Sequence, residues 1–221
     1  MRVLFIGNSF TARHDVPLLV AKFAAAAGVR LEHRLIAAGG ASLRRHWNAG
    51  EAARAIARGA WDAVVLQEQS TLPVRDPARM RANVACFAPL VATAGARLVL
   101  YATWARADAP GDQRAIDAAY AQAAADSGAT IAPVGAAWAR LRRRRTPVLH
   151  DADGSHATLA GAYLAAAVIA GALIAPAPVA PVEVAGVTPR DATPLIDAAS
   201  SARRGPAPAA RRRRSPRRPA R

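Results

Sequence analysis

Val3-Leu4-Phe5-Ile6-Gly7-Asn8-Ser9-Phe10-Thr11 passes from four apolar residues, with no polar alternation, into a glycine and a group of small polar residues. An unalternated apolar run this short suits a strand covered on both faces. Four similar runs follow, at 31–37, 63–66, 97–101 and 130–134. Between and beyond them lie alanine-rich stretches of helical character at 16–27, 44–58, 77–93, 113–126 and 158–174. Gly28, Gly59, Gly95 and Gly128 stand just past the first four, where a helix commonly stops. Strands alternating with helices imply parallel pairing and right-handed crossovers. The expected fold is therefore α/β, a three-layer α/β/α sandwich on a five-stranded parallel sheet. An all-helical bundle is excluded by runs such as Ala63-Val64-Val65-Leu66, which are too short and too β-branched.

The chain has 221 residues, enough for one such domain, and 52% of them are apolar, enough for its core. The net charge of +15 is concentrated at one end: residues 202–221 hold nine arginines and no acid, leaving +6 on the rest. With one lysine, Lys22, among 30 basic residues, the arginine content resembles a codon bias more than a nucleic-acid footprint. Residues 1–178 are expected to form the domain and 179–200 an extension packing loosely on it. Residues 201–221 read as a disordered Arg/Pro/Ala-rich tail. Such a tail could hold nucleic acid or an acidic surface, but the first 201 residues offer no separate signal for either. Oligomeric state is not legible. The longest apolar helical stretch, 163–175, is too short to span a membrane. The N-terminus lacks an apolar leader of signal length, so the expectation is a cytoplasmic protein. A single cysteine, Cys86, excludes an internal disulfide and a cysteine-rich zinc site. His14, His33, His46, His150 and His156 have no metal-ligand spacing.

In an open parallel sheet, ligands bind beyond the carboxyl ends of the strands. Small or hydrogen-bonding residues follow several of the runs: Asn8-Ser9 after the first, Gly39-Gly40 after the second, Gln67-Glu68-Gln69 after the third, and Asp151 to His156 before the last helix. A serine hydroxyl needs a base to become a nucleophile, and an imidazole base needs an orienting acceptor. Ser9, His156 and Asp153 can fill these roles. The N–H groups of Ser9 and Gly40 and the side-chain amide of Gln69 are candidate donors to an oxyanion. Gln67 could replace Gln69, and Gly39 could replace Gly40. Gln67 and Trp104 are candidate substrate-binding residues; Trp104 follows the fourth strand and could offer its face to a sugar ring or simply pack. Whether Glu68 is buried or exposed stays open.

Gly7-Asn8-Ser9-Phe10-Thr11, Gly40 and Asp153-Gly154-Ser155-His156 resemble the conserved blocks of the SGNH hydrolases, also called the GDSL esterase/lipase superfamily. The resemblance spans residue 1 to about 175. It implies a flavodoxin-like sandwich and ester hydrolysis through a Ser9-His156-Asp153 triad, with no cofactor and no metal. The family's third block carries an asparagine where this sequence has Gln69. The expected substrate is a small ester with a short acyl group, an acetyl ester of a carbohydrate among the candidates. The competing expectation is a non-catalytic carbohydrate-binding module on the same fold.

Overall fold

The computed structural model describes residues 1–142, 147–175 and 179–203. Five strands, β1 (Arg2–Gly7), β2 (Glu32–Ala37), β3 (Ala63–Leu66), β4 (Arg97–Ala102) and β5 (Thr130–Pro133), form one sheet in the order β2-β1-β3-β4-β5. Every pairing is parallel. The helices are α1 (Ser9–Ala12), α2 (Val16–Ala26), α3 (Leu43–Ala49), α4 (Glu51–Arg58), α5 (Leu72–Arg75), α6 (Pro77–Thr93), α7 (Gln113–Ser127), α8 (Val134–Leu141), α9 (Leu159–Leu173) and α10 (Pro189–Arg203).

The pleat divides the apolar runs between two cores. Val3, Phe5, Val65, Val99 and Tyr101 face α2, α8, α9 and α10. Leu4, Ile6, Val64, Leu66, Leu98 and Leu100 face the opposite layer, with α3, α4, α6 and α7. This accounts for the missing polar alternation: successive side chains point to opposite faces, and both faces are covered. The three-layer sandwich expected from the sequence is the fold observed.

Two expectations need correction. The helix expected over 44–58 is broken at Gly50, which takes a left-handed conformation (φ 73°) and donates its N–H to Trp47. A side chain is strained at that φ, so this residue turns the chain between α3 and α4. The extension expected to pack loosely over 179–200 is not loose, because α10 joins the core. Leu195 is fully buried, and Ala192, Ile196, Ala199 and Ala202 are buried around it. The reason lies in α9, which is buried on every side from Gly161 to Leu173 and so must be covered on every side. α10 and α8 supply the cover that the sheet and α2 cannot. Tyr163 pins the approach to α10: its hydroxyl accepts from the Val182 N–H at 2.9 Å and donates to the Val182 carbonyl at 3.1 Å. Residues 204–221, most of the expected tail, lie outside the described residues. No helix among the described residues is long and apolar enough to cross a membrane.

Candidate active site

The chain moves outward from β1 in one direction to β2 and in the other to β3, so the sheet's switch point lies where β1 and β3 end side by side. Ligands bind at this place in sheets of this order. A Cβ on Gly7 would come within 2.5 Å of Thr11 Oγ1 and 2.7 Å of Gln67 Oε1, so only glycine fits the strand end. Asn8 follows, and its side-chain oxygen accepts from the Phe10 N–H at 3.0 Å, capping the single turn of α1. Ser9 is the first residue of that turn.

The Ser9 turn is fixed from three directions. Gln67 Oε1 accepts from the Asn8 N–H at 2.9 Å and the Thr11 hydroxyl at 3.0 Å. The Asn8 amide donates to the Ala41 carbonyl at 3.0 Å, holding the turn that contains Gly40 beside Ser9. His46 donates from Nε2 to the Gly7 carbonyl at 2.7 Å; the carbonyl can only accept, so Nε2 carries a proton.

Although 147 positions separate them, Ser9 Oγ and His156 Nε2 lie 2.8 Å apart. On the far side of the imidazole, Nδ1 lies 2.5 Å from Asp153 Oδ2. The other Asp153 oxygen accepts the N–H groups of His156 at 2.8 Å and Ser155 at 2.9 Å. The bond from the His156 ring, followed by these two, holds the Asp153 carboxyl well below the usual carboxylate range. An ionised Asp153 can only accept, so Nδ1 carries the ring proton and Nε2 is left to accept from the Ser9 hydroxyl.

The loop carrying Asp153 and His156 is clamped to the segment after Ser9. Arg13 pairs with Asp151 at 3.0 Å, and His14 donates to the Ala157 carbonyl at 3.2 Å. His14 and Asp15 both take left-handed conformations, φ 56° and 48°, strained for residues with a Cβ. The strained pair turns the chain between α1 and α2 where Arg13 and His14 meet the loop.

Neither expected substrate-binding residue offers the contact expected of it. Gln67 is buried, its oxygen engaged by Asn8 and Thr11 and its amide nitrogen donating to the Glu68 carbonyl, so it braces the site from behind. Trp104 is 2% exposed. Phe10 stacks on one face of its ring at 4.8 Å and Trp138 on the other at 4.0 Å, leaving no face for a sugar. Its Nε1–H donates to the Ser155 carbonyl at 2.9 Å, so the ring supports the turn that carries His156.

The candidate oxyanion donors differ from these two in being left free of other partners: among the described residues, the N–H groups of Ser9 and Gly40 have none. Gln69 turns its side-chain oxygen to the following turn, accepting from the Thr71 N–H and hydroxyl and the Leu72 N–H at 2.9–3.1 Å. Three donors on one atom identify it as the oxygen. The Gln69 Nε2 is left without a partner among the described residues, and the side chain lines a cleft of about 390 Å³. Trp104 shares that wall with the charged Arg75, Arg106, Asp108 and Asp112 and the apolar Val74, Ala105 and Ile116, while Ser9, Gly40 and His156 do not line it.

Glu68, between the two glutamines, is buried. Burial pushes its carboxyl up from the ordinary value, while hydrogen bonds from Asn83, Gln69 and Leu43 and the charge of Arg79 pull it down. Among the described residues, no three His, Cys, Asp or Glu side chains gather as a metal-ligand set. His14, His46 and His150 each spend a ring nitrogen on a backbone carbonyl.

No protein-family model and no curated protein matches the sequence. Solved structures do. A chain described as "a putative SGNH hydrolase from Slackia heliotrinireducens" is 35% identical, superposes with a TM-score of 0.69, and is matched over 79% of this chain and 99% of its own. A lipase/acylhydrolase from Enterococcus faecalis is 18% identical, with a TM-score of 0.61 over 77% of this chain and 94% of that one. Axe2, an acetyl xylan esterase from Geobacillus stearothermophilus, is 17% identical, with a TM-score of 0.56 over 78% and 96%. The last two likenesses are of fold. The first, over nearly the whole of its partner, carries the family: this chain belongs to the SGNH hydrolases.

Proposed function

We propose that the protein is a serine-dependent carboxylic ester hydrolase, with Ser9 as nucleophile, His156 as general base and acid, and Asp153 as the group that orients the imidazole. The observation that carries this is the continuous relay from Ser9 Oγ to His156 Nε2 at 2.8 Å and from His156 Nδ1 to Asp153 Oδ2 at 2.5 Å. Ser9 Oγ attacks the ester carbonyl as its proton passes to Nε2. The tetrahedral oxyanion takes hydrogen bonds from the Ser9 and Gly40 N–H groups and the Gln69 amide. Collapse breaks the bond to the alcohol, which leaves with the proton from His156. Water then gives a proton to Nε2, attacks the acyl-serine and releases the carboxylic acid. Ser9 recovers its proton in that last step.

The substrate is a short acyl ester of a polar alcohol, a carbohydrate among the candidates. A cleft of about 390 Å³ opens beside Gln69 with charged side chains on its wall, which supports a polar alcohol portion; Ser9, Gly40 and His156 do not line it, so it sets no limit on the acyl chain. The competing reading is a non-catalytic module that holds a carbohydrate in the same pocket; stacking on Trp104 does not support it, because Phe10 and Trp138 stack against that ring. Hydrolysis of short-chain aryl esters by the wild type and Ser9→Ala tests the proposal. The substitution is expected to lower turnover about 10³-fold or more, and equal turnover by both proteins overturns it.

A further inference from the structure

We propose that Glu68 is a positioning residue whose buried carboxylate sets the spacing between the turn carrying Gly40 and the segment carrying Gln69, and with it the geometry of the oxyanion corner. The inference rests on the esterase reading above and adds a residue to it. Glu68 is 1% exposed. One of its oxygens, Oε1, accepts from two backbone N–H groups on different segments, Leu43 at 3.0 Å and Gln69 at 2.7 Å. Leu43 stands three residues after Gly40 and opens α3; Gln69 is the other proposed donor. A single atom therefore bridges the two loops that carry the proposed donors Gly40 and Gln69.

The second oxygen, Oε2, accepts from Asn83 Nδ2 at 2.7 Å, and Asn83 is itself 1% exposed on α6. The Asn83 oxygen accepts in turn from Arg44 Nε at 3.2 Å, one residue beyond Leu43. The Glu68 carbonyl takes the amide of Gln67, the side chain that holds the Asn8–Thr11 turn. Three site-bearing segments are thus joined through one residue. A carboxylate suits the task because it offers acceptor oxygens on both arms. Aspartate would be too short to make the same span, and an apolar residue would strand the buried Asn83 amide and two backbone N–H groups. Glu68 makes no contact with Ser9 or His156, and a negative charge would repel an oxyanion, so its contribution is geometric.

Full-length wild type, Glu68→Gln and Glu68→Ala distinguish this role from a merely stabilising one. Three readouts are needed: kcat and KM on a short aryl ester per fluorophosphonate-titrated Ser9, amide hydrogen exchange, and thermal stability. Misaligning donors, as opposed to deleting one, is expected to cost Glu68→Ala about 10- to 100-fold in kcat, with KM little changed. Glutamine keeps one oxygen for the Leu43 and Gln69 N–H groups, so Glu68→Gln falls between alanine and wild type. Exchange accelerates in Glu68→Ala at 39–43 and 69–72 but not at 153–156. Should the alanine protein fail to fold, Asn83→Ala shows the same pattern more weakly. Unchanged kcat per titrated site with only a lower melting temperature overturns the proposal. If the wild type neither labels nor hydrolyses esters, the esterase reading fails on its own. The exchange pattern then still decides whether Glu68 spaces the two loops, and unchanged exchange at both rejects it.

Discussion

The side-chain oxygen of Gln67 lies 2.9 Å from the backbone nitrogen of Asn8, joining the end of β3 to the turn that presents Ser9. The same oxygen receives the Thr11 hydroxyl, so this buried amide fixes both ends of the Asn8–Thr11 turn. Gln67→Ala leaves the Asn8 N–H and the Thr11 hydroxyl unpaired. An unpaired buried group costs about 1–3 kcal/mol, which a urea titration will register as a lower midpoint. Turnover falls as well, because the freed turn carries the nucleophile.

Asp153 gives a prediction with a definite pH sign. Its folded-state carboxyl is held below the ordinary value by His156 and two backbone N–H groups. The contribution to stability is therefore complete above the unfolded Asp value of about 3.9 and is lost as pH falls through the lower folded value. Asp153→Asn should flatten the acid limb of stability against pH, followed by circular dichroism below about pH 4. Turnover should drop by about 10⁴-fold, the scale seen when the orienting carboxylate of a serine triad is neutralised.

Trp104→Phe separates support from sugar binding. Phenylalanine keeps much of the stack between Phe10 and Trp138 but cannot donate to the Ser155 carbonyl. The expected result is a lower kcat with KM nearly unchanged across acylated sugars of different size. A rise in KM confined to sugar esters would instead indicate a stacking platform.

Leu195→Ala tests the incorporation of α10 into the core. Leu195 is fully buried, and truncating a buried leucine costs about 2–5 kcal/mol. A loosely packed extension would lose only a few tenths. Denaturant unfolding monitored by tryptophan fluorescence decides between them, and kcat per folded molecule should be unaffected.

The five strands were legible because a parallel sheet covered on both faces leaves short runs without alternation, and 63–66 is the plainest. That Ser9, His156 and Asp153 would meet was legible because strand-end loops of such a sheet share one edge, and because Gly7–Thr11 and Asp153–His156 resemble blocks of the SGNH hydrolases. Gln67 and Gln69 could not be told apart, since both carry the same amide. Only the structure shows one turned inward to Asn8 and the other capping Thr71 beside the cleft. Trp104 was ambiguous for a related reason: its place after β4 was correct, but what covers its faces comes from α1 and α8, far away in sequence. The break at Gly50 was hidden by helical character continuing on either side. α10 did leave a signal in Ala192, Leu195, Ile196, Ala199 and Ala202, an apolar stripe at helical spacing. The proline-rich approach and arginine-rich sequel obscured it.

The most direct measurement is the mass of the full-length protein, intact and as peptides, after treatment with a saturating fluorophosphonate. The predicted result is one adduct per chain, on Ser9, absent from Ser9→Ala and formed far more slowly by His156→Ala. A wild-type chain that stays unmodified, or an adduct on any other residue, contradicts the account.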